Sequence, residues 1–197
     1  MNIVKVLIQG YVNERNGAEF ASSSTSLIVS DGINVIVDPG SDRERLLSAL
    51  SDAGLTIGDI KFVVLTHTHP DHCLLAGLFE GAKVLDSDSI YGWDGSITGH
   101  DSKIPGTNIE ILKTPGHDEF HCVVLVPTGD LGFVAIAGDL FWWPDGEAQQ
   151  IDRDSLMNHP DKYEKDHAAL VKSRELILQR ADYVIPGHGK AFVIDKK

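Results

Sequence analysis

The sequence predicts one α/β domain of mixed, α+β character, on three observations. Short apolar runs rich in Val and Ile recur along its 197 residues and read as strands. Between them stand stretches with apolar residues three and four apart, the pattern of amphipathic helices. No repeat, low-complexity tract or linker interrupts this order, so the expectation is a single domain over 1–197.

Residues 2–9 and 24–30 read as strands, separated by a polar loop, 10–23, that carries Gly10 and Gly17. Ser30-Asp31-Gly32 joins Leu27-Ile28-Val29 to Ile33-Asn34-Val35-Ile36-Val37, and Asp-Gly between two such runs signals a hairpin. The second strand stops at Asp38-Pro39-Gly40. A helix follows over 42–52, with Ser41 and Glu44 as a capping box, Leu46, Leu47 and Leu50 as its apolar stripe, and Gly54 at its end. The unbroken apolar strand 61–66 implies burial on both faces. Next come a helix from Cys73 to Phe79, a short strand at 82–85 and a loop rich in Gly, Asp and Ser over 86–107.

Strand 109–114 runs straight into Pro115-Gly116-His117. His121 to Val126 and Gly132 to Ala137 form a strand pair around Thr128-Gly129-Asp130, and the second member ends at Gly138-Asp139. Phe141-Trp142-Trp143-Pro144 opens an irregular segment, 140–160. Tyr163, Leu170, Val171, Ile177 and Leu178 are spaced as one face of a helix over 162–180. A last strand, 181–185, ends at Pro186-Gly187-His188-Gly189.

Composition narrows the function. With 42% hydrophobic and 23% charged residues the chain has the material for a real core. Its net charge of −12, with no run of Lys or Arg, argues against extended nucleic-acid binding. No stretch approaches the roughly 20 apolar residues that a membrane span needs. The first ten residues show no basic and apolar leader, so the expected location is cytoplasmic. Two cysteines, Cys73 and Cys122, are too few for a disulfide framework and are expected as buried thiols. The expected partner is a small-molecule substrate, and a homo-oligomer is left open.

Chemistry concentrates in His67-Thr68-His69-Pro70-Asp71-His72, which holds three of the nine histidines. Imidazole and carboxylate are the ligands of borderline transition metals. A strand end sends alternate residues to one side, so His67 and His69 point at one ion, while Asp71 and His72 on the next turn reach a second. Three further strand ends carry His117, Asp139 and His188, each introduced by a glycine. Such ends converge on one edge of a sheet.

The set H-x-H-x-D-H, then Pro-Gly-His, Gly-Asp and Gly-His-Gly resembles the metallo-β-lactamase-fold superfamily, and the likeness runs from Asp38-Pro39-Gly40 to His188. Gly77-Leu78-Phe79, Thr114-Pro115-Gly116-His117 and Val184-Ile185-Pro186-Gly187-His188-Gly189 further resemble the metallo-β-lactamase domain-containing protein 1 group. The resemblance implies a four-layer αβ/βα sandwich with two divalent ions, zinc by default and iron or manganese as alternatives, at one edge. It implies that His67, His69 and His117 hold the first ion, that Asp71, His72 and His188 hold the second, and that Asp139 bridges them. Asp38 is implied as the partner that orients a ligand imidazole or the loop.

The activity so implied is hydrolysis of an ester, thioester, lactone or phosphodiester by a metal-bridging hydroxide, with Asp71 orienting the nucleophile and relaying a proton. The alternatives are a mononuclear iron thiol dioxygenase of the same fold, a metal-dependent ribonuclease or phosphodiesterase, and, last, a non-enzymatic metal-binding module. Asp139 and the missing leader set the chain apart from the secreted relatives that destroy β-lactams. Phe141, Trp142 and His121 are the candidate pocket residues, with Phe141 and Trp142 equally suited to packing against the last helix. His100, His159 and His167 are expected on the surface.

Overall fold

The computed structural model describes residues 1–195. Strand β1 (Asn2–Ile8) is followed not by the expected loop but by a two-stranded hairpin, β2 (Tyr11–Arg15) and β3 (Ala18–Ser22). Asn16 (φ 54°) and Gly17 (φ 74°) make its left-handed two-residue turn, a conformation that Asn and Gly adopt most readily. The flanking residues are largely polar and exposed, which hid the alternation. Strands β4 (Thr25–Ser30) and β5 (Ile33–Val37) pair as expected across Asp31 (φ 46°) and Gly32.

Helix α1 (Arg43–Asp52) is capped by Asp42 and not by the expected Ser41. The Asp42 carboxylate accepts from the Arg45 amide at 3.1 Å, while the Ser41 hydroxyl donates to the Ala21 carbonyl and so ties the hairpin down. After β6 (Phe62–Val64) comes a single turn, α2 (Pro70–Cys73), in place of the helix expected over 73–79. Proline at its first position favours that earlier start, and a separate 3-10 turn forms at Ala76–Leu78. The segment expected as a loop over 86–107 follows β7 (Lys83–Leu85) and contains β8 (Ser89–Tyr91) and β9 (Ile97–Gly99). Both are three residues long and half-buried or exposed, too short to betray a period.

The second half builds β10 (Glu110–Lys113), β11 (Cys122–Pro127), β12 (Phe133–Ile136), the short helix α3 (Arg153–Met157) and α4 (His167–Arg180). Helix α4 starts five residues later than its apolar spacing suggests, where the Asp166 side chain accepts from the Ala169 amide at 3.0 Å. Lys162 and Tyr163 therefore lie on the loop before it. Strand β13 (Tyr183–Ile185) comes last of the expected elements, and a two-residue strand, β14 (Phe192–Val193), follows His188.

One sheet has the order β1-β4-β5-β6-β7-β8-β9 and the other β10-β11-β12-β13-β14. The β5-β6-β7 pairs and the β12-β13 pair are parallel. Alternation within each strand sorts the layers. Val35, Val37, Phe62 and Val64 of the first sheet meet Val124, Val134 and Ile136 of the second. From the first sheet's other face, Ile36 and Val63 pack on Leu46 and Leu50 of α1. From the second's, Val123, Ala135 and Val184 pack on Leu170, Ile177 and Leu178 of α4. Burying each large aliphatic side chain stabilises by about 1.5–3 kcal/mol. The result is the expected αβ/βα sandwich. Among the described residues no helix is long and apolar enough to cross a membrane.

Candidate metal centre

The carboxyl ends of β5, β6, β10, β12 and β13 gather at one edge of the sandwich, and each runs directly into a functional side chain. Strand β6 leads to His67 and His69, and the first turn of α2 adds Asp71 and His72. His117 follows β10, Asp139 sits in a 3-10 turn after β12, and His188 follows β13. Two glycines permit this crowding. Gly138 is left-handed (φ 48°), and a Cβ there would lie 2.4 Å from Thr66 Oγ1; at Gly187 a Cβ would lie 1.9 Å from Asp139 Oδ1.

All seven expected ligand residues come together. The donor atoms of His67, His69, His117 and Asp139 lie within 4.8 Å of one another, and those of Asp71, His72 and His188 form a second such group. Asp139 faces both. Its Oδ2 is 3.5 Å from His117 Nε2 and 3.9 Å from His67 Nε2, while its Oδ1 is 3.1 Å from His72 Nε2 and 3.5 Å from His188 Nε2. His69 turns its Nδ1 inward, 3.2 Å from His117 Nε2, and Asp71 Oδ2 lies 3.1 Å from His188 Nε2. Two donors on one tetrahedral ion at about 2.0–2.1 Å stand roughly 3.3 Å apart, so these spacings fit cations. His67 Nε2, His72 Nε2 and Asp139 Oδ1 are buried without a hydrogen bond. Leaving such atoms unsatisfied costs about 1–3 kcal/mol each, and a cation at the centre of either group satisfies them.

The outward nitrogens of His72 and His117 are tied by carboxylates. Asp38, held at φ 50°, receives His72 Nδ1 at 2.8 Å, the Thr66 amide at 2.8 Å and the Thr66 hydroxyl at 2.7 Å. This is the orienting contact expected of Asp38. Asp161 does the same for His117, with Oδ2 2.6 Å from Nδ1 and both side chains fully buried. Nothing in the sequence marked Asp161, a lone carboxylate in an acid-rich stretch with no motif around it.

Charge at the site is strongly coupled. Burial opposes ionisation of Asp139, but the facing His72 and His188 outweigh it and hold its carboxyl well below the usual range. Burial and His188 compete in the same way at Asp71, with the same downward result. His72 is also fully buried, yet Asp139 and Asp38 on either side raise its pKa well above that of a free imidazole. His67 goes the other way, because burial and the neighbouring His72 disfavour its charged form.

A cleft of about 280 Å³ opens onto the centre. His69, Asp71, Asp139 and His188 form its floor, and Val12, Glu19, Ala21, Pro70, Trp142 and Tyr163 form its walls. Of the three candidate pocket residues only Trp142 lines it. Phe141 is wholly buried and packs edge-on against Phe192 in the core under α4. His121 is buried behind His67, with its Nδ1 2.8 Å from the Thr114 hydroxyl. His159, expected on the surface, is half-buried and packs at a tilt of 43° against Trp143, with Nε2 2.5 Å from the Trp142 carbonyl. Cys122 is a buried thiol as expected, whereas Cys73 is only half-buried. The segment 10–23, expected as a loop overhanging a site, does overhang the cleft, but as a hairpin that contributes Val12, Glu19 and Ala21. A larger cleft on the hairpin's other face, lined by Tyr11, Arg15, Phe20 and Arg45, contains none of the seven.

The profile of the metallo-beta-lactamase superfamily matches residues 18–188. A Xenopus laevis protein, metallo-beta-lactamase domain-containing protein 1, is 33% identical over 203 aligned positions, covering 98% of this chain and 82% of its own length. A probable metallo-hydrolase of Methanocaldococcus jannaschii is 29% identical, over 94% of this chain and 86% of its own. Among solved structures, a putative metallo-beta-lactamase from Thermotoga maritima superposes with a TM-score of 0.72 at 20% identity, over 98% of this chain and 99% of that one. A dizinc quorum-quenching lactonase in complex with a product superposes with a TM-score of 0.65 at 16% identity, over 87% and 73%.

Proposed function

This chain belongs to the metallo-β-lactamase superfamily and is a metallo-hydrolase, and from that premise we propose a dinuclear enzyme acting on a small ester, thioester or lactone. His67, His69 and His117 hold one ion, Asp71, His72 and His188 hold the other, and Asp139 bridges them. The observation that carries this reading is the division of Asp139, with Oδ2 turned to one imidazole set and Oδ1 to the other. Zinc suits donor sets rich in imidazole and without thiolate. When bound, such a pair supplies a hydroxide nucleophile near neutral pH and a Lewis acid for the substrate oxygen.

The chain's own residues supply the rest. Asp71 is ionised, held by His188, and on the cleft floor, so it orients the nucleophile and takes up a proton as the substrate reacts. Val12, Ala21, Pro70 and Trp142 exclude water from the reacting bond and accept an apolar acyl group. Among the described residues of the cleft lining none is Lys or Arg. Lys162 stands at the rim, its Nζ 4.7 Å from the Tyr163 ring centroid and 3.5 Å from Glu19 Oε2, so its charge is already engaged by Glu19, and the lining favours a carboxylic ester, thioester or lactone over a phosphodiester.

Elemental analysis of the purified protein beside Asp139→Ala and His188→Ala tests the proposal, with an ester, thioester and lactone panel as the activity readout. Two zinc ions per chain, one lost in His188→Ala and turnover lost in both variants, is the expected result. One iron per chain, retained in His188→Ala, overturns it in favour of thiol oxidation.

A further inference from the structure

Asp161 sits at the junction of the metal centre and the substrate cleft, and the hydrogen bonds it makes commit one of its two oxygens as an acceptor. Three groups converge on its two oxygens. Trp142 Nε1 donates to Oδ1 at 3.3 Å and the Tyr163 amide donates to the same oxygen at 3.0 Å. His117 Nδ1 lies 2.6 Å from Oδ2. The indole and the backbone amide can only donate, so Oδ1 is committed as an acceptor. An ionised carboxylate presents a second acceptor to His117, which must then carry its hydrogen on Nδ1. That leaves the lone pair of His117 on Nε2, the nitrogen that faces Asp139 and His69.

The segment carrying Asp161 is itself fixed from α4. Arg174, buried without exposure, donates through Nη1 to the His159 carbonyl at 2.6 Å and through Nε to the Leu140 carbonyl at 3.1 Å. One arginine thus holds the backbone beside Asp139 and the backbone leading to Asp161. Trp142 and Tyr163, the two partners of Oδ1, are walls of the cleft.

We propose that Asp161 is a positioning residue that locks His117 in its metal-binding tautomer and couples that imidazole to the Trp142–Tyr163 wall. The inference rests on the reading of His117 as a ligand given above. It makes Asp161→Asn an informative change, because asparagine has the same shape and only one acceptor. Its carbonyl stays with Trp142 and Tyr163, its amide turns to Nδ1, and His117 is driven to carry hydrogen on Nε2, where it cannot ligate.

The test is zinc titration of metal-free protein against a chromophoric chelator, together with ¹⁵N NMR of the histidine side chains at pH 8. Wild type is expected to show His117 as the Nδ1–H tautomer before any metal is added. Asp161→Asn is expected to show the Nε2–H form and to lose about 10- to 100-fold in affinity for one of the two ions, the usual cost of removing such an outer partner. A merely structural role would lower the melting temperature and leave both readouts unchanged. An Nε2–H tautomer in wild type overturns the proposal even if Asp161→Asn fails to fold. His117→Ala separates the two readings. If it loses an ion that Asp161→Asn binds normally, the role of Asp161 falls while the dinuclear site stands; if it binds zinc as wild type does, both fall.

Discussion

Gly187→Ala is the smallest change that should disable the centre without replacing any candidate ligand. The backbone at Gly187 is not left-handed, so alanine suits it conformationally. The obstacle is contact alone. The added Cβ would lie 1.9 Å from Asp139 Oδ1 and 2.9 Å from the Gly138 carbonyl carbon. The Gly138 backbone is pinned, since its carbonyl accepts from the Gly187 amide at 2.7 Å. The carboxylate must therefore yield, moving until 1.9 Å becomes the roughly 3.4 Å of ordinary contact between carbon and oxygen. A shift of that size withdraws Oδ1 from His72 and His188. Overpacking of this kind costs about 1–3 kcal/mol of stability, and misplacing a reacting group by about 1 Å costs on the order of 100-fold in rate. The expected variant is folded by circular dichroism, binds less than two ions per chain and turns over at about 1% of wild type. Wild-type stoichiometry together with wild-type turnover would refute the argument that Asp139 is held between the two groups by the absence of a side chain at Gly187.

Two further outcomes follow from buried groups outside the seven candidate ligands. His121 is pushed down to about 3 by burial and by His117, so the folded chain keeps it neutral where an unfolded chain, near 6.5, takes up a proton. Its contribution is therefore present above about pH 6.5 and falls by about 1.4 kcal/mol per pH unit down to about pH 3. Urea unfolding of chelated protein between pH 7 and pH 4 should show that slope and a shallower one in His121→Gln; identical slopes would remove His121 as the cause. Arg174→Met leaves the Leu140 and His159 carbonyls without their donor. The expected loss is about 2–4 kcal/mol, read as a fall of roughly 5–15 °C in melting temperature, and a shift under about 2 °C would contradict the clamp.

The sandwich and the convergence of the seven candidate ligands were legible because each lies at or just after a marked strand end. The apolar runs before His67, Asp139 and His188 are short, continuous and followed by a glycine or a histidine motif, and such signals survive in sequence. The hairpin 11–22 was not legible from periodicity, since one face meets the cleft and the other water, although Asn16-Gly17 marked its turn. Strands β8 and β9 were lost for lack of length. The cap of α1 went to Asp42 because Ser41 is engaged by Ala21. Asp161 and Phe141 illustrate the limit. A carboxylate that meets a histidine 44 positions away, and an aromatic whose neighbour in sequence lines the cleft while it faces the core, are assigned by the tertiary fold alone.

The two sheets draw on separate parts of the chain: all seven strands of one lie within 2–99 and all five of the other within 110–193. Each half closes its own hydrogen-bond ladder from nearby segments, yet neither contains a complete set of donors. His67, His69, Asp71 and His72 belong to the first half, and His117, Asp139 and His188 to the second. During synthesis the first sheet emerges with its inner face still waiting for the second, and the centre cannot be assembled until residue 188 has left the ribosome. An ion held by either group would cross-link segments about fifty or more than one hundred residues apart, whose approach the folded backbone has already secured. The cluster lies on the seam between the two halves, which backbone bonds such as Cys122 N–H to the Thr66 carbonyl (2.7 Å) and Ser24 N–H to the Gly187 carbonyl (2.6 Å) already stitch together.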